Sequence, residues 1–181
     1  MTWAKDATHD DPADQRGLPV NIFFSETGNG AEPHSYTGNY SVTPKDISYI
    51  VPRGTLEVNS LLVTITDATS FNQADYGAIA GGLTNGIKFF IVLAGTTTEI
   101  PLFAGHVFKH NYDFLAIFHD TLLTSFAGGA QTLALESDLK KVFGIPLVLQ
   151  TGDRIIVRLN DDLTGLISHT FVLGCERFLN R

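Results

Sequence analysis

The chain has 181 residues, 44% of them hydrophobic and 17% charged, with a single cysteine; that is enough apolar content for one self-sufficient domain, and it excludes disordered, collagen-like and disulfide-stapled classes. Twelve Lys and Arg against nineteen Asp and Glu leave a net charge of −7, which opposes binding to phosphate backbones and anionic membrane surfaces. The acid is concentrated ahead of residue 138, where fourteen acids face six bases, while the remainder carries five acids and six bases.

Residues 1–17 are polar, carry Asp6, Asp10, Asp11 and Asp14, and are broken by Pro12, a composition that cannot bury enough surface to fold alone. They read as an extended N-terminal arm on a domain spanning 18–181, with Trp3 as the group that docks on a partner. The arm lacks the basic head and apolar middle of a secretory signal, and no run approaches the ~20 apolar residues that span a bilayer. Cys175 has no partner for an internal disulfide, so the expected setting is assembly in a reducing cytoplasm.

Past the arm, Val20, Ile22 and Phe24 alternate with Asn21 and Ser25 before the turn-forming Gly28-Asn29-Gly30, which describes a strand running into a loop. Between Leu56 and Asp67 the apolar residues change parity, from Leu56 and Val58 to Leu61, Val63 and Ile65. Because strand side chains alternate faces, the change near Asn59 and Ser60 predicts a β-bulge or a bend between sheets. Ile87 to Leu93 is apolar on both parities except at Lys88, as expected of a strand covered on both faces. Phe114, Phe118, Leu122 and Phe126 recur every four residues between Asn111 and the Gly128-Gly129 stop, which predicts one helix, with a shorter turn over 138–143.

In the last third, Leu147 and Leu149 precede the Gly152-Asp153 turn and Ile155, Val157 and Leu159 follow it, which reads as a hairpin. After the turn-forming run from Asn160 to Gly165, His169 to Leu173 reads as a final strand ending at Gly174, so that the region forms a β-meander. The expected fold is all-β: an antiparallel β-sandwich or jelly-roll-like domain with one short helix and the extended N-terminal arm.

The residues that bear chemistry do not fall into catalytic spacings. His106 and His110, with Asp113, His119 and Asp120 nearby, have the four-residue spacing that brings two ligands together on a helix, but their segment reads as extended, where that spacing holds them roughly 13 Å apart; they are expected at the surface or as helix caps. No Gly-x-Ser-x-Gly turn is present, and Cys175 reads as a half-buried structural thiol. Asp161-Asp162 lacks the ligand pattern of a calcium loop and reads as turn chemistry. The expectation is therefore a protein that is not an enzyme and uses neither metal nor cofactor. Arg154 and Arg158 share the outward parity of one strand, with Ile156 between them. Together with Trp3 they are the candidate partner interface, a mixed patch to meet the acidic part of a neighbouring copy in a homo-oligomer such as a dimer, trimer or ring.

Three passages resemble virion structural proteins of tailed bacteriophages. They are Val51-Pro52-Arg53-Gly54 leading into the strand from Leu61 to Asp67; Tyr76-Gly77 followed by Leu83-Thr84-Asn85-Gly86-Ile87; and Ile155 to Leu159 followed by Asn160-Asp161-Asp162-Leu163-Thr164-Gly165-Leu166. The resemblance runs from residue 51 to 174. It implies a small β-sandwich present in many copies on a virion, as capsid decoration or as a neck or tail component bound to other virion proteins, and it carries over no catalytic residue. The alternative from another class is a carbohydrate- or receptor-binding sandwich, which would need exposed aromatic platforms from among Tyr36, Tyr40, Tyr49, Tyr76 and Tyr112.

Overall fold

In this computed structural model the strands of the first half pair with those of the second in reverse order. The structure describes residues 17–30, 34–118, 120–125 and 129–178, so Trp3 and the arm ahead of Gly17 lie outside the described residues. Strand β1 (Leu18–Phe23) pairs with β10 (Ser168–Phe178), β2 (Lys45–Ile50) with β9 (Arg154–Leu159), β3 (Thr55–Asp67) with β8 (Leu147–Gln150) and β4 (Lys88–Val92) with β5 (Glu99–Pro101). All of these pairings are antiparallel. A long hairpin rolled up on itself in this way gives two packed sheets. One has the order β1-β10-β3-β7-β6, with β8 also on β3, and the other has β2-β9-β4-β5. Here β6 is Asp120–Ser125 and β7 is Gln131–Asp138. The order is that of a jelly roll, so the expected all-β sandwich is the fold observed.

The parity change in β3 is a bulge. Ser60 stands opposite Gly174 while Val58 stands opposite Cys175, so Asn59 is the extra residue. Leu56 and Val58 on one side, and Leu61, Val63 and Ile65 on the other, are all fully buried. The bulge keeps every apolar residue of a 13-residue strand except Leu62 facing inward without moving it to the other sheet. It also marks a change of partner: Thr55–Val58 pair with β8 and Ser60–Asp67 with β7. Aromatic rings fill the centre, with Phe108 stacked on Phe114 at 4.6 Å and Phe89 edge-on to Phe103, Phe108 and Phe171.

Four sequence expectations are corrected. The helix α1 covers only Asn111–Ile117, and Phe118 caps it in an extended conformation. Phe114 and Phe118 are buried, but Leu122 is 61% exposed and belongs to β6; the ladder offered by β7 outweighs a periodicity that two phenylalanines carry, and Phe126 lies outside the described residues. The turn at 138–143 is a second helix, α2 (Leu139–Phe143), whose first turn is capped by the Asp138 carboxylate accepting from the Lys141 amide. β8 and β9 are not a hairpin, because the Gly152-Asp153 turn carries the chain from one sheet to the other. The buried Asp153 carboxylate fixes that crossing by accepting from the amides of Gln150 at 2.7 Å and Ala94 at 2.8 Å. Finally, β10 does not stop at Gly174 but continues to Phe178, so the last third is no meander. The segment Phe89–Val92 is covered on both faces as expected, whereas Leu93, just beyond it, is 46% exposed.

Candidate interaction surfaces

The outer face of the larger sheet is built from strand positions that alternate with the core. Register places Ser168, Thr66, Thr132 and Thr124 in one row across β10, β3, β7 and β6, and Thr170, Thr64, Ala134 and Leu122 in the next. Three strand spacings make this a strip about 14 Å wide. No residue of these two rows is charged, although the chain as a whole is strongly acidic. Acid enters at the third row, where Glu136 stands opposite Asp120. The hydroxyls are drawn flat against the sheet, since Thr66 and Thr132 Oγ1 share a hydrogen bond of 2.8 Å and Thr124 Oγ1 donates to the Thr132 carbonyl at 3.4 Å. Depletion of charged residues is a mark of the centre of a protein interface.

The outer face of the smaller sheet holds the sequence-predicted candidates from β9. Arg158 is bound within its own chain. Its Nε and Nη2 donate to both carboxylate oxygens of Asp46 at 2.7 Å, and its Nη1 and Nη2 donate to Glu99 at 3.0 and 2.7 Å. The guanidinium also lies 5.0 Å over the ring of Phe90. Hydrogen bonds to Asp46 first, and to Glu99 second, raise its pKa further above the ordinary arginine value. Ile156 faces outward by parity yet is only 3% exposed, lying between Ser48 and Phe90 in register. Of the patch expected to meet a neighbour, Ile156 is thus already covered and the charge of Arg158 already compensated. Arg154, between Ile50 and Val92, has no acid partner among the described residues. The sequence pattern placed these side chains on the correct face but could not show that Asp46 and Glu99, far away along the chain, flank Arg158.

The loop carboxylates are engaged with backbone. Asp161 is 5% exposed and accepts from the amides of Thr84, Asn85 and Gly86 at 2.7 to 3.2 Å. Gly86 has φ +74°, and a Cβ there would sit 2.6 Å from Val107, so the close approach needs glycine. Asp162 forms an Asx turn with Thr164 and is held by the Asn39 amide at 2.9 Å. The reading as turn chemistry fits Asp162, whereas Asp161 joins its own loop to a distant one.

His110 is the N-cap of α1, in a reciprocal box with Asp113, and His106 packs edge-on against Phe108; His119 lies outside the described residues. His169 departs from the expectation of surface or capping histidines. It is fully buried, with Nε2 2.8 Å from Tyr76 Oη and Nδ1 without a partner, and desolvation pushes its pKa down to about 3. No His–x–His or i,i+4 spacing announces it. Cys175, expected to be half-buried, lies in the core at 5% exposure, and burial pushes its thiol up to about 12. Among the described residues, no group of three or more His, Cys, Asp or Glu is placed to hold a metal.

A polar cleft of about 380 Å³ opens between the loop after β1 and the start of β2, lined by Ser25, Glu26, Thr27, His34, Ser35, Tyr36, Tyr40 and Lys45. Lys45 Nζ lies 2.5 Å from Glu26 and 5.5 Å from the centre of the Tyr40 ring. Tyr36, Tyr49 and Tyr76 are buried, which leaves Tyr40 here and Tyr112, 47% exposed and stacked on His110, as accessible rings.

The fold and these surfaces define an antiparallel jelly-roll sandwich with an uncharged strip of two rows on the outer face of its larger sheet. No protein-family model matches the chain, and no curated protein matches it. Among solved structures, a carbohydrate-binding module specific for non-crystalline cellulose is similar over 91% of this chain and 76% of its own, at 12% identity and a TM-score of 0.29. A likeness of that size carries no inference about what this chain binds.

Proposed function

We propose that the protein is a non-enzymatic structural component of a bacteriophage virion, a capsid-decorating module that binds other virion proteins through the outer face of the larger sheet. The supporting observation is the pair of uncharged, threonine-rich rows across β10, β3, β7 and β6 on a chain of net charge −7. An uncharged strip is where a strongly acidic protein meets a protein surface without burying unpaired carboxylates. Jelly rolls recur in viral shells, but they also recur in lectins and enzymes, so the fold alone does not decide. Quantitative mass spectrometry of purified particles tests the reading: the chain is expected in many copies per particle, and its absence overturns the proposal. Thr64→Lys with Thr132→Lys places two charges on the face and is expected to abolish incorporation with the melting temperature unchanged. Full incorporation of that variant would move attachment to another surface.

A second reading rests on the cleft beside Tyr40, whose ring, carboxylate and hydroxyls suit a sugar. In that case Tyr40→Ala removes binding on a glycan array, while the threonine-face variant binds as before.

A further inference from the structure

Among the described residues the strands with a free side, β1, β6 and the four-residue β8 of the larger sheet and β2 and β5 of the smaller, are not alike. β1 carries Pro19 in its ladder, and the free side of β2 is occupied by the loop after β1, with Ser25 and Ser48 exchanging backbone bonds and Ile50 donating to Gly28. β5 has three residues and ends in Pro101. Proline, brevity and a covering loop are the usual guards against edge-to-edge pairing. β6 has none of them: it runs six residues in unbroken register with β7, contains no Pro, Lys or Arg, and exposes Leu122 by 61% and Leu123 by 52%. Among the described residues, no strand pairs with its outer side.

We propose that β6 pairs antiparallel with β6 of a second copy about a two-fold axis perpendicular to the sheet. Backbone donors and acceptors along an open edge call for a strand as the occupant, and two features point to the same chain. The edge is self-complementary, because a two-fold axis through Leu122 sets Asp120 opposite Thr124 of the second copy, and one through Leu123 sets Leu122 opposite Thr124; neither brings Asp120 opposite itself. In addition, two chains of net charge −7 repel over most of their surfaces, and this edge borders the two uncharged rows, so joining here extends both faces in one plane without opposing acids. The proposal does not depend on the virion reading and holds for the isolated protein.

Sedimentation velocity of the full chain across a dilution series is expected to show a dimer that dissociates to monomer. Leu122→Lys, which adds one of the usual edge charges, is expected to weaken association about a hundredfold with the melting transition retained. Hydrogen exchange on the unmodified chain provides a reading that needs no variant: the β6 amides facing away from β7 become protected as the dimer forms and exchange freely on dilution. A monomer at every concentration overturns the proposal. So does a dimer in which those amides stay unprotected, a dimer unaffected by Leu122→Lys, or protection independent of concentration, which would place residues 1–16 or another part of the same chain on the edge.

Discussion

His169 shows what a single buried side chain implies for the whole stability curve. The imidazole is neutral in the native state because burial lowers its pKa to about 3, against 6.5 in the unfolded chain. Below pH 6.5 the unfolded chain therefore takes up a proton that the native chain refuses. The stabilising contribution is complete above pH 6.5 and declines as pH falls toward 3, at about 1.4 kcal/mol per pH unit. Urea titrations at neutral and mildly acidic pH are expected to show this slope in the native sequence and a shallower one in His169→Gln, which cannot titrate; equal slopes would mean that His169 accepts its proton in the fold. Asp161 and Arg158 make a related point. Each has its hydrogen-bond partners on distant segments, so each acts as a clamp between parts of the roll. Asp161 is also nearly buried, and its three amide donors supply the compensation that a buried carboxylate requires.

Among the elements, the β3–β10 pair is the one whose local irregularity has a definite steric cause. At the bulge, Gly174 faces Ser60, and a Cβ on Gly174 would fall 2.6 Å from Ser60 Oγ but 3.8 Å from Ser60 Cβ. Gly174→Ala is therefore expected to cost about 1 to 3 kcal/mol by overpacking. Ser60→Ala, which removes only the clashing oxygen, is expected to restore most of it. A double-mutant cycle by chemical denaturation measures the coupling, and additive effects would place the strain elsewhere. The same contact explains why glycine occurs within an 11-residue strand, where it would otherwise mark an end.

Across the whole molecule, the rolled topology makes the two ends of the chain mutually dependent. β10 lies between β1 and β3, and it supplies Phe171, Leu173 and Cys175 to the core. A chain ending at Gly165 is expected to show no cooperative melt by circular dichroism, since both neighbours of the missing strand lose their ladder. A chain beginning at Gly17 is expected to melt close to the full-length temperature, its core residues being retained. A cooperative transition in the first chain would mean that the smaller sheet and its loops fold without closure of the roll. Closure depends on contacts between residues far apart in sequence, so slow folding on the millisecond-to-second scale is the corresponding kinetic expectation.

The sequence by itself determined the class of fold, the parity change in β3 and the inward sets of β3 and β9, because two-residue alternation is a local property that any buried sheet face imposes; that the parity change is a bulge and not a bend between sheets was decided by the pairing with β10. It also marked Asp162 as turn-forming, since residue type and immediate neighbours suffice for that. Only the tertiary structure decided that the Gly152-Asp153 turn changes sheets, that Leu122 belongs to a strand and that Ile156 is covered from outside. It likewise decided that Arg158 is held by Asp46 and Glu99, and that His169 is buried against Tyr76. Each of these depends on a partner many residues away: a turn looks the same whether the next strand pairs beside it or across from it, and a short apolar run takes the periodicity of whichever ladder or core receives it. The uncharged strip belongs to the same category, because its two rows are assembled from four strands that are adjacent only once the roll has closed.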